Sequence, residues 1–386
     1  PGFTAASVAV PGLAGPQRVD VPLRVFYPGY YPMLSGLYRA LGVPTEAVSY
    51  ASSLLDARGR LYFRYRNLRW GAKSLGVLAP QDLLLGGRAW HILAGLLRFK
   101  WAAVAALRRD ELADTSIGDY VAAQRYPADF VDGLLLPAIA TICTCSHQQA
   151  RQFPARVIVD YLARGLASQP VHRALHGADD VERRLLAGIP GLVCNAHITG
   201  ATRGDAGVRL HMADGCSETF DHLVLATQAN QARALLQDAS PTEASMLAGF
   251  AYTPVQVLTH RDPRLMPSRR RDWSPVNLQV DPARDGPAST IWVNAVQPAL
   301  HGAEDVFQTV NPHQLPRPDL LIASARFERP VVDAGSERAL LQLAALHADA
   351  DRRVWFCGAY AQAGIPLLES AVRSARVVVE SLGGQV

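Results

Sequence analysis

Apolar residues recur at helical spacing along residues 31–41 (Y-P-M-L-S-G-L-Y-R-A-L), and Gly42 follows as a stop signal, which predicts a helix there. The longest stretch of this kind is 81–109. In it Arg88, His91, Arg98 and Lys100 interrupt an otherwise apolar run. Such a mixture fits a helical lid packed on a core, the simpler reading, or a helix lying in a membrane interface. Further helices are predicted over 115–125, 128–140, 154–166, 181–186 and 231–236, with Pro154 in a first helical turn. Short β-branched or alternating runs predict strands over 19–26, 60–65, 191–201, 207–213 and 219–227. Pro22 places the first of these at an edge or a bend. Asp214-Gly215 supplies the turn of a hairpin between the last two. A second β-rich block runs from Tyr252 to about Phe327, punctuated at Asp262-Pro263 and Met266-Pro267. The chain closes with a strand over 353–357, Gly358, a loop, and a helix opened by Pro366 and running to about Leu382.

The chain has 386 residues, 49% of them hydrophobic and 19% charged, so two lobes with ordinary packed cores are expected. The formal net charge is only +4, and Lys73 and Lys100 are the only lysines among many arginines. With no aromatic-interleaved basic stripe, nucleic acid is not an expected partner. Five cysteines (Cys143, Cys145, Cys194, Cys216 and Cys357) show no repeated spacing. They read as structural thiols, not as a disulfide framework or a metal site. No signal peptide and no run of ~18 uncharged apolar residues is present, so a cytoplasmic protein, with peripheral membrane contact as an option, is expected.

The C-terminal segment carries the most specific chemistry. It reads V-W-F-C-G-A-Y-A-Q-A-G-I-P-L-L-E-S-A-V-R-S-A-R-V-V-V. Gly358 permits close approach of a ligand to the backbone. Ser370, Ala371, Ser374 and Ala375 keep one helical face low. The helix N-terminus would suit a phosphate, or the N1–C2=O edge of a flavin that gains negative charge on reduction. Spacing alone favours a plain strand–turn–helix crossover.

This segment resembles the flavin-binding tail of the amine oxidase, phytoene desaturase and protoporphyrinogen oxidase superfamily. The resemblance implies FAD, with Gly358 and Ala359 near its ribityl and phosphate end and Leu367, Leu368 and Ala371 beside the ring. Three other stretches are similar to the same family. Phe220 to Leu236 resembles the strand and turn that return the chain to the cofactor domain, which puts Ala226 and Thr227 near FAD. His176-Gly177-Ala178 resembles its Gly-Gly step, with Ala in place of the second Gly, and Ile198 would then approach the adenine. His260 to Asn277 resembles a signature of a bacterial branch whose genes often accompany cyclopropane fatty acid synthases.

Pro1-Gly2-Phe3-Thr4 resembles the end of the family's R-x-G-G-x-T motif. Gly2, Phe3 and Thr4, and Leu23 and Arg24 in the next strand, would then be cofactor contacts. A G-x-G-x-x-G fingerprint is absent. Pro11-Gly12-Leu13-Ala14-Gly15 has the wrong spacing and reads as a turn. The resemblance therefore implies that one βαβ unit of roughly 30–40 residues would precede Pro1. FAD binding by the chain as written would be weak or absent, and by the intact parent tight. The expected fold class is α/β and α+β. A Rossmann-like FAD domain of the glutathione reductase type, lacking its first βαβ unit, would comprise 1–45, 172–238 and 345–386. A mixed-sheet and helical substrate domain would comprise 46–171 and 239–344.

The resemblance implies an FAD-dependent oxidoreductase that oxidises or desaturates a small or lipid-like substrate by two electrons. Many amine oxidases carry a lysine near flavin N5, but the comparable stretch 251–260 has Gln256 and no lysine. A C–C bond substrate, such as an acyl chain or a prenyl-type lipid, is therefore preferred to an amine, and 81–109 could line its entry. Catalytic residues are not assigned. His260, His301 and His313 read as structural or surface histidines before they read as bases. Arg269, Arg270 and Arg271 read as a solvated face before an anion dock, and Trp273 and Asn277 carry no assigned role. The alternatives are a non-catalytic remnant or lipid-binding module, a true amine oxidase, and an NAD-linked dehydrogenase. The last fits the tail helix less well than a flavin does. The oligomeric state is left open.

Overall fold

A computed structural model describes residues 6–70, 73–77, 82, 86–164, 170–349 and 351–385. Contacts divide the chain into two compact units, Pro1–Leu185 with Pro254–Arg329, and Leu186–Thr253 with Pro330–Val386. The expected cofactor lobe is thus shared: 1–45 and 172–185 fall in the first unit, 186–238 and 345–386 in the second. The chain is a mixed α/β protein with a large mixed sheet and many helices.

The first unit is organised on an eight-stranded sheet. Its order is Leu321–Pro330, Tyr252–His260, Phe307–Val310, Ala288–Trp292, Val276–Gln279, Ser52–Leu55, Leu61–Trp70 and Lys73–Val77. Val276–Gln279 runs parallel to Ser52–Leu55 and so joins two antiparallel blocks. Across the sheet's middle, Leu54, Phe63, Val276 and Leu278 are buried with Ala89 and Ile92 of the helix Gly87–Arg108. That helix realises the predicted 81–109 stretch from Gly87 onward, residues 81 and 83–85 lying outside the described residues, and Gly86 precedes it with φ +105°. Its inward face is Ile92, Gly95, Phe99, Ala103 and Ala106. Gly95 is required there, because an added Cβ would lie 2.4 Å from the Phe130 side chain.

The predicted 128–140 helix forms in three pieces, Ala128–Phe130, a wider π-helical turn Val131–Leu135, and Leu136–Cys143. Of the predicted 154–166 helix, Ala155–Ala163 forms, and 165–166 lie outside the described residues. Pro154 does not occupy its first turn but caps it, with an extended ψ of 127°. At the N-terminus, strands Ala6–Gly12 and Gly15–Val21 pair as a hairpin whose turn is Leu13-Ala14, as the glycine-rich stretch predicts. The strand predicted over 19–26 ends at Val21, where Pro22 bends the chain. Helix Pro32–Ala40 follows and stops before Gly42, which has φ +63°.

In the second unit, Ser217–Phe220, Gly207–Met212 and Ile198–Gly204 form a three-stranded antiparallel sheet. Leu223–Leu225 and Val354–Phe356 form a separate parallel pair. One predicted strand, 219–227, is therefore two. Phe220 completes the hairpin opposite Val208, then Asp221-His222 breaks the run so that Leu223 can pair with Val354. Likewise the strand predicted over 191–201 begins only at Ile198, because Asn195 and His197 adopt positive φ of 56° and 48°. Helices Ala229–Leu235, Pro241–Ala248, Ala334–His347 and Leu368–Ser381 surround the pair. Their common core holds Val208, Ala229, Ala232, Met246, Leu247, Val354 and Phe356, each at most 1% exposed.

Candidate functional site at the carboxyl ends of a parallel strand pair

Leu223–Leu225 and Val354–Phe356 run in the same direction, so the residues that leave them emerge side by side. The amide of Cys357 donates to the Leu225 carbonyl at 3.2 Å, extending the ladder by one step. Beyond it lie Ala226 and Thr227 on one strand and Gly358 and Ala359 on the other. Parallel strands open a crevice at their carboxyl ends, where ligands of α/β proteins bind.

Gly358 has φ +144°, a conformation that side chains rarely adopt. A Cβ there would meet Tyr360 Cε1 at 3.2 Å and the Thr227 carbonyl oxygen at 3.3 Å. Gly358 is held from behind by Ser374 of the last helix. The Gly358 amide donates to Ser374 Oγ at 2.9 Å, and that hydroxyl lies 2.9 Å from the carbonyl oxygens of both Gly358 and Ala371. One turn earlier, Ser370 Oγ donates to the Ile365 carbonyl at 2.9 Å. The small residues thus act as hydrogen-bonding staples for the loop 358–367, beyond keeping the helix face low. The helix itself begins at Leu368, not at Pro366, because Leu367 is extended (φ −119°, ψ −178°) and forms the N-cap. Leucine has no side-chain oxygen, so no side chain caps this helix.

Burial shifts three titratable groups around the strand ends toward their neutral forms. Burial pushes the Cys357 thiol up to about 11. Burial also raises the Tyr360 phenol well above its ordinary value, and its ring meets Phe250 edge-on at 4.8 Å. His347 Nε2 accepts from the Phe356 amide at 3.3 Å, and burial followed by the nearby Arg352 charge lowers the imidazole to about 4. Behind the pair, the buried Glu243 Oε1 accepts from Arg203 at 2.6 Å and Arg352 at 2.9 Å. Its other oxygen accepts from the Ser240 amide at 3.0 Å. The strand ends therefore offer backbone groups, small or apolar side chains and neutral tyrosine and cysteine, on a rigid charged support. Such a surface can seat a group that brings its own chemistry.

Of the residues expected at a cofactor, the structure brings together Ala226, Thr227, Gly358 and Ala359, with Leu367, Leu368 and Ala371 at the start of the stapled helix. Ala226 is exposed and the others are half-buried. Ile198 lies in the neighbouring three-stranded sheet, half-buried and opposite Met212. Leu23 and Arg24 belong to the first unit. Leu23 is buried with Val10, Val19 and Leu300, and its amide donates to Gln308 Oε1 at 2.9 Å. Burial lowers the Arg24 guanidinium, against the pull of Asp20. Gly2, Phe3 and Thr4 lie outside the described residues.

The His176-Gly177-Ala178 step has a local explanation. Gly177 opens helix Gly177–Leu186 with φ +75°, and the Ala178 amide donates to buried Asp20 Oδ1 at 2.9 Å. A Cβ on Gly177 would sit 2.7 Å from that oxygen, so the glycine makes room for a carboxylate of the protein. His260 is fully buried. Its Nδ1 accepts from the Asp262 amide at 3.1 Å, so Nε2 carries the proton and donates to Thr309 Oγ1 at 2.8 Å. Burial lowers it to about 4, and its role is structural. His301 is exposed, and His313 Nε2 donates to the Gly286 carbonyl at 2.9 Å. Arg269, Arg270 and Arg271 are exposed, and Arg270 pairs with Asp305 at 2.6 Å over the Trp273 ring. Trp273 Nε1 donates to the Pro267 carbonyl at 2.7 Å. Asn277 bonds to both the amide and the carbonyl of Ser274. Both residues brace the first unit's sheet.

No protein-family model and no curated protein matches the sequence. Solved structures do match the fold. A putrescine oxidase bound to putrescine aligns over 99% of this chain and 91% of its own, with a TM-score of 0.63 at 12% identity. Cyclohexylamine oxidase from Brevibacterium oxydans IH-35A covers 98% and 91%, with a TM-score of 0.63 at 13% identity. A fatty acid isomerase from P. acnes that produces CLA covers 97% and 88%, with a TM-score of 0.62 at 12% identity. The chain shares the fold of these three enzymes. At such identities the likeness extends to the fold alone.

Sequence reasoning missed His347, Glu243 and Asp20, which support the strand ends and the Gly177 helix. Asp20 and the Arg352 contact of Glu243 act across more than a hundred residues, whereas the capping box Ser240–Glu243 and the Phe356 contact of His347 are nearer in sequence. Ser374 was visible, and its spacing of four from Ser370 was the one signal of a shared helical face.

Proposed function

We propose that the chain is an FAD-dependent oxidoreductase whose flavin is held at the carboxyl ends of Leu223–Leu225 and Val354–Phe356. The observation that carries the proposal is Gly358, a positive-φ residue fixed by Ser374 at the end of a parallel pair and followed by a stapled helix start. The residues there fit such a group. Ala226, Thr227, Gly358 and Ala359 leave the backbone open to approach, and Leu367, Leu368 and Ala371 offer an apolar edge for a flat ring. The flavin, when bound, supplies two-electron redox chemistry. The chain's own residues position it and exclude water, and neutral Cys357 and Tyr360 leave the electrostatics to the backbone amides. The proposal rests on the second unit alone.

The substrate class we favour is one oxidised at a C–C bond, such as an acyl or prenyl-type chain, because Gln256 stands where the resemblance implies an amine-oxidase lysine. A fatty acid isomerase with the same fold is compatible with that choice. Two oxidases of amines with the same fold keep amine oxidation as the second reading.

Titration with FAD, followed by quenching of flavin fluorescence, tests the cofactor. Binding should weaken on Gly358→Val and stay unchanged on Leu341→Ala, an exposed position. Equal FAD binding by the native protein and Gly358→Val would contradict the proposal. Reduction of the loaded protein by amines but not by acyl substrates would select the second reading.

A further inference from the structure

The helix Gly87–Arg108 has a second face that the fold does not use. Trp90, Leu97 and Trp101 are spaced by seven and four residues, so they share one ridge. They are 53%, 51% and 75% exposed. Two of the six tryptophans in the chain therefore stand in solvent on one helix. The opposite face, through Ile92, Gly95, Phe99, Ala103 and Ala106, is packed into the first unit.

The charges on this helix are all of one sign. It carries Arg88, Arg98, Lys100 and Arg108, and no aspartate or glutamate. Arg88 is turned inward over the Tyr62 ring at 3.7 Å, and its neighbour Asp129 also takes His91 at 2.8 Å. Arg98 lies over the Tyr126 ring at 4.5 Å and donates to the Gln124 carbonyl at 2.6 Å. Lys100 and Arg108 are exposed beside the ridge, and among the described residues neither takes part in an ion pair. Just past the helix, Arg109 pairs with Glu111 at 2.6 Å.

Among the described residues this is the single helix long and apolar enough to cross a bilayer. Its packed inward face rules out spanning in the folded protein, since only one side is open. A helix with an apolar, tryptophan-bearing ridge and a cationic rim has the physical character of one lying flat in a headgroup layer. Tryptophan favours that layer because its ring is apolar and its N–H is polar.

We infer that the Trp90–Leu97–Trp101 ridge docks the protein on an anionic lipid surface, with Lys100 and Arg108 against the headgroups. The inference stands whether or not the chain carries a flavin. A neutral protein groove would match the ridge but leave the one-sided charge unanswered, whereas anionic lipid answers both.

Co-sedimentation of the full chain with vesicles of phosphatidylcholine alone, or mixed with phosphatidylglycerol, tests it. The native protein should bind the mixed vesicles, more weakly at high salt, and bind phosphatidylcholine poorly. Trp90→Ser with Trp101→Ser should lower binding about tenfold or more, from lost apolar burial. Trp101→Ser alone, at a side chain too exposed to support the fold, should lower it several-fold. Lys100→Glu should lower it by about fivefold or more, since each cation near such a surface is worth ~1 kcal/mol. No binding of native protein to either vesicle would overturn the inference, as would undiminished binding by a tryptophan variant of native thermal stability. A concentration-dependent dimer that Trp101→Ser dissociates, without vesicle binding, would assign the ridge to a second copy instead.

Discussion

Gly358→Ala would place an L side chain on a backbone with φ +144°. Holding a non-glycine residue in such a region costs about 1–3 kcal/mol. The new Cβ would also press on Tyr360 Cε1 at 3.2 Å and the Thr227 oxygen at 3.3 Å, so the ring or the adjacent strand end must shift by a few tenths of an ångström. Tyr360 is 4% exposed and edge-on to Phe250, which limits how far it can give. Ser374→Ala provides the partner perturbation. It leaves the half-buried Gly358 amide without the acceptor it now has at 2.9 Å, a loss of about 0.5–1.5 kcal/mol. Because both substitutions release the same residue, the double variant should lose less than the sum, with a coupling of about 0.5–3 kcal/mol. Hydrogen exchange of peptides covering 223–228 and 354–361 is the suitable assay, since it reads the strand pair and not the whole chain. Faster exchange confined to those peptides is expected. Native exchange in Gly358→Ala, or strict additivity in the double variant, would refute the claim that Ser374 holds Gly358 in its unusual conformation.

Glu243→Ala should cost about 3–5 kcal/mol, because it leaves Arg352, 8% exposed, and Arg203 facing a buried vacancy; urea unfolding reads the loss. Acid should destabilise the first unit through His260, whose folded value of about 4 lies below the unfolded value of 6.5. The native state then binds fewer protons, so stability is complete above the unfolded value and falls as pH drops from about 6.5 to about 4, by up to ~3 kcal/mol. His260→Gln should flatten that part of a pH–stability profile. Gly95→Ala should destabilise by about 1–3 kcal/mol through the 2.4 Å approach to Phe130, read as a lower melting temperature. A native melting temperature for that variant would show that the two helices can part at little cost.

Local signals in the sequence located many elements but missed others, among them helices Pro241–Ala248 and Ala334–His347 and strand Ser52–Leu55. Pro32–Ala40, Gly87–Arg108 and the hairpin turn at Leu13-Ala14 follow from periodicity and glycine punctuation, which act within a few residues. The strand ends of the site were legible for the same reason: Gly358 after an apolar run is a local feature. Where strands change partners the pattern was silent. The run 219–227 is continuously suited to a strand, yet it serves two sheets, and only the distant Val354–Phe356 decides where it breaks. Pro154 and Pro366 were misplaced by a residue or two, since proline fixes φ but leaves ψ to the tertiary fold. The long-range roles of the supports were invisible, as Glu243 reaches Arg352 and Asp20 reaches Ala178 across more than a hundred residues.

The two serine staples divide labour along the loop 358–367. Ser374 fixes its entry and Ser370 its exit, both from one rigid helix. Between them Tyr360 and Ala361 are packed into the core, and Gln362 and Ala363 are relieved of anchoring the loop. That stretch can change in sequence while its ends stay in register, as an exchangeable insert in a fixed frame. Variation in what this protein recognises could accumulate there without disturbing the strand pair beneath.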